Sequence, residues 1–203
     1  MITSRNIDAQ TALVECDPSL VPAAGDVFDT LAELVRSGVP LQEGLRLRFG
    51  WSMLTLRGEP AGLRVCEPDF SSDPLTQLHP TLDRTLAILA TQLQWLRRVK
   101  EQGADVRFDQ HVVFTHDAFR ADDLFALRNE AGSEVDSGWS VAPVPEPGGQ
   151  IDMSQLSAIP IYNLVDSYPE LLSIFTLPTG YLVRLKRKRV VEISDPSGVV
   201  RWQ

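Results

Sequence analysis

Sulfur and imidazole are scarce in this chain. Two cysteines, Cys16 and Cys66, and three histidines, His79, His111 and His116, are spread over 203 residues. There is no C-x-x-C pair and no Cys/His cluster at ligand spacing, so the sequence offers neither a zinc ribbon nor a redox dithiol. Two isolated thiols suit a reducing compartment. Long apolar runs are missing too, and none approaches the ~18 residues that a membrane-spanning helix needs. The segment Met1 to Gln10 has no basic stretch followed by an apolar one, so no signal peptide is read there and the expected location is the cytoplasm. No G-x-S-x-G elbow occurs, and Pro147-Gly148-Gly149 is not followed by the Lys-Ser or Lys-Thr of a phosphate-binding loop.

What is present is an ordinary globular composition: 43% hydrophobic, 23% charged, mean hydropathy -0.07. A chain of this length buries roughly 70% of its unfolded surface and needs no metal or disulfide staple. The formal net charge is -8 and the isoelectric point about 4.9. Such a chain is repelled by phosphate backbones and anionic bilayers, which argues against nucleic acid and membrane as partners. The charge is uneven. Residues 67–179 carry 7 basic and 17 acidic side chains, whereas residues 180–203 carry 6 and 2. An acidic middle between basic hairpins is suited to steering a basic partner, and it also serves plain solubility.

Periodicity predicts an α+β fold, with a mainly antiparallel sheet, one long central helix (about 80–102) and two short C-terminal helices. The first two dozen residues read as weakly structured. A helix is expected from Asp26 as N-cap, carrying Phe28, Leu31, Leu34 and Val35, and stopped by Gly38 and Pro40. Strands are expected at Leu45–Phe49, Trp51–Leu56 and Leu63–Cys66 as a meander. The apolar stripe Leu82, Leu86, Leu89, Leu93, Leu96 and Val99 marks the long helix, with Pro80 at its start and Gly103 past its end. Strands follow at His111–Thr115, Leu124–Arg128 and Gly138–Pro143, then a Pro/Gly loop over Pro143–Gly149. Two short helices lie around 160–176, and a hairpin joins Tyr181–Leu185 to Val190–Ile193. Gly50-Trp51-Ser52 and Gly138-Trp139-Ser140 are similar tripeptides, too short to establish a repeat.

Candidate chemistry is thin. His111 and His116 flank one strand and point to opposite faces, which makes them poor co-ligands. Asp69 with Asp73, and Asp122 with Asp123, are paired loop acids. They read as solvated carboxylates, as contacts for a partner, or as acid–base groups of a hydrolase. Lys186-Arg187-Lys188-Arg189 at the last hairpin tip reads as a charged edge that blocks strand-to-strand aggregation, or as a phosphate or targeting contact. No metal, cofactor or catalytic set is expected.

The last third holds the most distinctive pattern. Asp136-Ser137-Gly138-Trp139 opens a strand, Tyr162-Asn163-Leu164 and Ser167-Tyr168-Pro169-Glu170-Leu171-Leu172 follow, and Pro178-Thr179-Gly180-Tyr181 leads into the final hairpin. Over about 136–193 this order resembles the immunity protein 33-like domain family of bacteria. The match lies at Asp136, Ser137, Gly138, Trp139, Tyr162, Leu164, Tyr168, Pro169, Leu171, Leu172, Pro178 and Gly180. The linker after the tryptophan departs from the family, being Pro143–Gly149 in place of an acidic, Asn/Asp-rich stretch. On this division residues 1–130 form an α+β region of unnamed family and 131–203 the immunity-like domain. The resemblance implies a binding protein that neutralises a cognate toxin by stoichiometric occlusion, without turnover. The alternatives are a chaperone or adaptor of a secreted effector, and a hydrolase using the loop acids. The motif residues are expected to hold the fold.

Overall fold

The computed structural model describes residues 1–145 and 156–203, so Pro147-Gly148-Gly149 and the end of the expected Pro143–Gly149 loop lie outside the described residues. The chain falls into two compact units, Met1–Ala90 and Thr91–Gln203.

In the first unit, β1 (Ile2–Ile7) and β2 (Gln10–Glu15) form a hairpin. Asp17 accepts from the Ser19 amide to cap a 3-10 turn at Pro18–Leu20, and α1 (Val21–Arg36) follows directly. Pro22 sits in the first turn of α1, where its missing N–H costs nothing. Ala24, Val27, Phe28 and Leu31 are its buried stripe, and Gly38 in the left-handed region ends it. The meander of β3 (Arg46–Phe49), β4 (Ser52–Glu59) and β5 (Gly62–Pro68) then returns to lie beside β2, giving the order β1-β2-β5-β4-β3. A short β6 (Leu78–His79) adds to the end of β5. The core gathers Val14, Val27, Phe28, Leu31, Leu54, Leu56, Val65, Leu82 and Leu86. The boundary between the units falls inside α2 (Asp83–Val99).

The second unit is built on β7 (His111–Thr115), β8 (Asp123–Arg128), β9 (Asp136–Pro143), β10 (Leu156–Pro160), β11 (Leu182–Lys186), β12 (Arg189–Ser194) and β13 (Val200–Trp202), in the order β10-β7-β9-β8-β11-β12-β13. Between β10 and β11 lie a 3-10 turn at Ile161–Leu164 and α3 (Pro169–Ile174). Their buried faces supply Ile161, Leu164, Leu171, Leu172 and Ile174 to a core that includes Trp139, Val141, Phe175, Leu177, Tyr181, Val183 and Ile193.

The expected arrangement of one central helix on a mainly antiparallel sheet is corrected on two counts. Among the described residues there are two sheets and each is mixed: β2 runs parallel to β5, and β7 parallel to β9. Alternation along single strands carries no information on which strands meet, so both parallel pairs were invisible. The second count is the helices. α1 has 16 residues beside the 17 of α2, so no single helix is central. α2 is also shorter than 80–102, because Pro80 belongs to the strand-end loop and Lys100, at φ 61, closes the helix early. Leu93, placed on the apolar stripe, is 37% exposed. The opening residues are a hairpin and not weakly structured. β1 is a solvent-facing edge strand whose Thr, Ser, Arg and Asn residues hide the alternation. Asp26 is no cap; it lies inside α1, where its carbonyl accepts from the Thr30 hydroxyl.

Candidate functional site

At the centre of the family-like motif of the second unit lies Arg128, whose charge hides its burial in the sequence. Arg128 ends β8 and is 7% exposed. One terminal nitrogen, Nη1, donates to the carbonyls of Phe175 at 2.9 Å and Leu177 at 2.7 Å, and Nη2 donates to that of Asp105 at 2.7 Å. Phe175 and Leu177 follow α3, where helix ends leave carbonyls without intrahelical donors. A planar guanidinium fork can satisfy several such oxygens at once, which an ammonium group cannot do in the same geometry. Burial pushes the guanidinium pKa down from its ordinary value.

The D-S-G-W strand entry packs on this group. Trp139 lies opposite Arg128 in the β8–β9 register and the guanidinium sits 6.0 Å from its ring centre. The indole N–H donates to the Phe175 carbonyl at 2.8 Å, and the two rings stack at 5.1 Å. Phe175 O therefore takes two donors, the full capacity of a carbonyl oxygen. Asp136 accepts from the Gly138 and Gly132 amides, and the Ser137 hydroxyl donates to the His111 carbonyl at 2.7 Å. Gly138 has φ 77, and an added Cβ would stand 2.3 Å from the Asn129 oxygen, so only glycine fits.

The remaining motif pieces close around the same centre. Pro178-Thr179-Gly180-Tyr181 is a turn closed by the Tyr181 amide donating to Pro178 O, with Gly180 at φ 86. The Gly180 amide donates to the Arg128 carbonyl at 2.6 Å, and the Arg128 amide donates to Tyr181 O. Tyr168 is buried beside Phe119, its hydroxyl donating to the Phe119 carbonyl at 3.0 Å. Pro169 opens α3, and the Tyr162 amide donates to Phe108 O. Asp136, Ser137, Gly138, Trp139, Tyr162, Tyr168, Pro169, Pro178 and Gly180 all have identifiable jobs within the fold.

Of the four acids expected at the surface from sequence, two lie in each unit. Asp69 and Asp73 lie in the loop after β5. Asp69 accepts from the Ser71 amide and from the hydroxyls of Ser71 and Ser72, which hold its carboxyl below the usual range. Asp73 accepts from the Leu75 amide and the Thr76 hydroxyl. Both stitch a loop that presents Leu75 to solvent. In the second unit, Asp123 forms a two-pronged pair with Arg184, which lowers its pKa, and the exposed Asp122 offers its carbonyl to the Arg187 amide.

The histidines are separate. His79 contacts the Thr81 hydroxyl, His111 the Val135 carbonyl, and His116 the Ser157 hydroxyl. Among the described residues no three His, Cys, Asp or Glu side chains come together as metal ligands. Cys16 and Cys66 are both free and buried, and burial raises both thiols. Among the described residues no helix is long and apolar enough to cross a membrane.

Arg128 has a signal in retrospect. It shares the parity of Leu124 and Ala126 along β8, so the alternation that buries those two also buries it. The two similar tripeptides end in similar local chemistry: Trp51 donates to Thr85 O and stacks on Phe70 at 5.2 Å, as Trp139 does with Phe175. The surrounding strand orders differ.

No curated protein and no solved structure matches the chain. The model of the Imm33-like domain matches residues 91–195, just over half the chain, reaching well upstream of the 136–193 motif and taking in Arg128. The chain belongs to the Imm33-like family.

Proposed function

We propose that this protein is a bacterial immunity-type binder, which neutralises a cognate protein toxin by forming a stoichiometric complex and performs no turnover. The observation that supports this reading most is the match over residues 91–195. A second is the state of the motif itself. Its polar groups are spent on backbone amides and carbonyls, from the Asp136 carboxylate to the Tyr168 hydroxyl. They build a rigid platform, and recognition is left to the surface that platform displays. Rigid platforms suit occluding binders, since little ordering entropy opposes the complex.

The test is capture from the native host with the tagged full chain, read by mass spectrometry across a salt series. One partner at equal stoichiometry, whose expression without this chain is toxic, is the expected result. Capture of nothing at any salt, or catalytic conversion of a substrate by the purified chain alone, overturns the reading.

A further inference from the structure

The β11–β12 hairpin closes with Arg187 at φ 48 and Lys188 at φ 59. A two-residue turn with both central residues left-handed is type I′, which strongly favours Asn-Gly. Long cationic side chains there are held in a region that L-residues avoid. Neighbours fix the tip: the Arg187 amide donates to Asp122 O at 2.6 Å, and Lys188 donates from Nζ to Ser167 O at 2.9 Å while lying 4.3 Å from the Tyr168 ring centre. Strain retained at a pinned loop is a mark of use.

Two further observations lie beside it. Lys186, Arg187 and Arg189 are exposed, and among the described residues none is in an ion pair, unlike Arg184, which Asp123 neutralises. With Val191 they line an open depression of about 500 Å3. On the outer side of β12, β13 pairs only with Ile193 and Ser194, so the stretch from Arg189 to Glu192 is an unpaired strand edge among the described residues. Half-buried Val190 and Val191 lie on that stretch.

We propose that the tip and outer edge of β12 are a docking surface for an extended, acidic segment of the protein partner, an inference that rests on the binding-protein reading above. The segment adds as a strand to the free edge of β12. Its carboxylates meet Lys186, Arg187 and Arg189, and its alternate apolar side chains cover Val191. A chain of net charge -8 repels an acidic segment in general, and three exposed cations outside any ion pair at one tip locally offset that repulsion. An open strand edge favours a polypeptide over a nucleic acid, because it offers amide and carbonyl groups in register.

The full chain is titrated by fluorescence anisotropy with three labelled probes: the peptide Glu-Val-Glu-Val-Glu-Val-Glu, its Lys-for-Glu counterpart, and a single-stranded DNA oligonucleotide. Two variants accompany the wild type. One combines Lys186→Glu, Arg187→Glu and Arg189→Glu. The other combines Arg187→Asn and Lys188→Gly, which suits the turn and removes two cations. The wild type is expected to bind the acidic peptide alone, with slowed exchange at the outward-facing amides of the stretch from Arg189 to Glu192. Charge reversal weakens binding roughly tenfold or more. The Asn-Gly variant melts higher than the wild type yet binds more weakly, a combination that misfolding cannot produce. Wild-type affinity in both variants, no binding by the wild type, or tighter binding of the DNA overturns the proposal. Host capture separates the two readings. A toxic partner held equally by wild type and charge-reversed chain refutes this surface and leaves the immunity reading standing, whereas no capture by the wild type removes both.

Discussion

Arg128 and Trp139 face each other across β8 and β9 and donate to the same atom, the carbonyl oxygen of Phe175, at 2.9 and 2.8 Å. The strand entry is thereby tied to the end of α3. Trp139→Phe keeps the ring stack and removes one donor, which is expected to cost about 1–3 kcal/mol. Arg128→Met strips donors from Phe175, Leu177 and Asp105 together and is expected to cost about 3 kcal/mol or more. Because both side chains share Phe175 O, the double variant departs from additivity by about 0.5–3 kcal/mol. Urea denaturation of the four proteins, with unchanged slopes, measures all three quantities.

Gly138→Ala tests the close approach of β9 to the end of β8. The methyl would meet the Asn129 oxygen at 2.3 Å from a backbone already at φ 77. The expected loss is several kcal/mol, more than the ~1 kcal/mol typical of point changes. Gly38→Ala shares the positive φ but meets nothing within 4 Å, so it isolates the conformational part of the cost. Thermal melts of the two variants compare them directly, and equal losses would refute the steric account.

Glu67 predicts a pH dependence in the first unit. It is 1% exposed, and its carboxylate accepts from the Arg84 amide at 3.2 Å and the Thr85 amide at 2.7 Å, at the start of α2. Burial outweighs those two donors and pushes its pKa up from 4.5 to about 7. A folded-state pKa above the unfolded one means that the folded chain holds the proton longer. The stabilisation is complete below pH 4.5, falls as pH rises, and is gone above about 7. Relative to Glu67→Gln, the wild type is expected to lose about 3 kcal/mol across that window. Chemical denaturation at stepped pH reads the difference, and parallel curves for the two proteins would contradict it.

Much of this was legible in the residues, and the gaps have physical causes. The 136–193 pattern announced the family, because a positive-φ glycine, a buried tryptophan and a proline-initiated helix leave marks in sequence. The stripe from Leu82 to Val99 marked a helix as well, although the helix is shorter than 80–102 and Leu93 is exposed. The parallel pairs were not, since Ala12 meeting Leu63 is a relation between distant segments. β13 and β6 were missed because strands of two or three residues have no period to read. Arg128 was passed over because a charged residue is assumed to face water, although its parity along β8 placed it inside. The four surface acids were visible as pairs, yet the partners of Asp69, Asp73 and Asp123 lie in the side-chain geometry of Ser71, Thr76 and Arg184.

Asp69 and Asp73 carry a prediction of their own. Both bind hydroxyl and amide groups of their own loop, so they order it. Asp69→Ala with Asp73→Ala is expected to accelerate hydrogen exchange at Ser71, Leu75 and Gln77 while β4 and β5 exchange as before. Unchanged exchange at those amides would show that the loop is held by other means.

We propose that this member of the Imm33-like family acts by binding. The most direct measurement is a dose titration: cells expressing the captured partner at fixed level, with this chain supplied over a graded range and growth recorded beside the amount of complex. Growth that returns only as the chain reaches parity with the partner, with all the partner in complex, is the predicted result. Full protection by a small fraction of an equivalent would mean turnover and would contradict the claim, as would a partner that harms no cell.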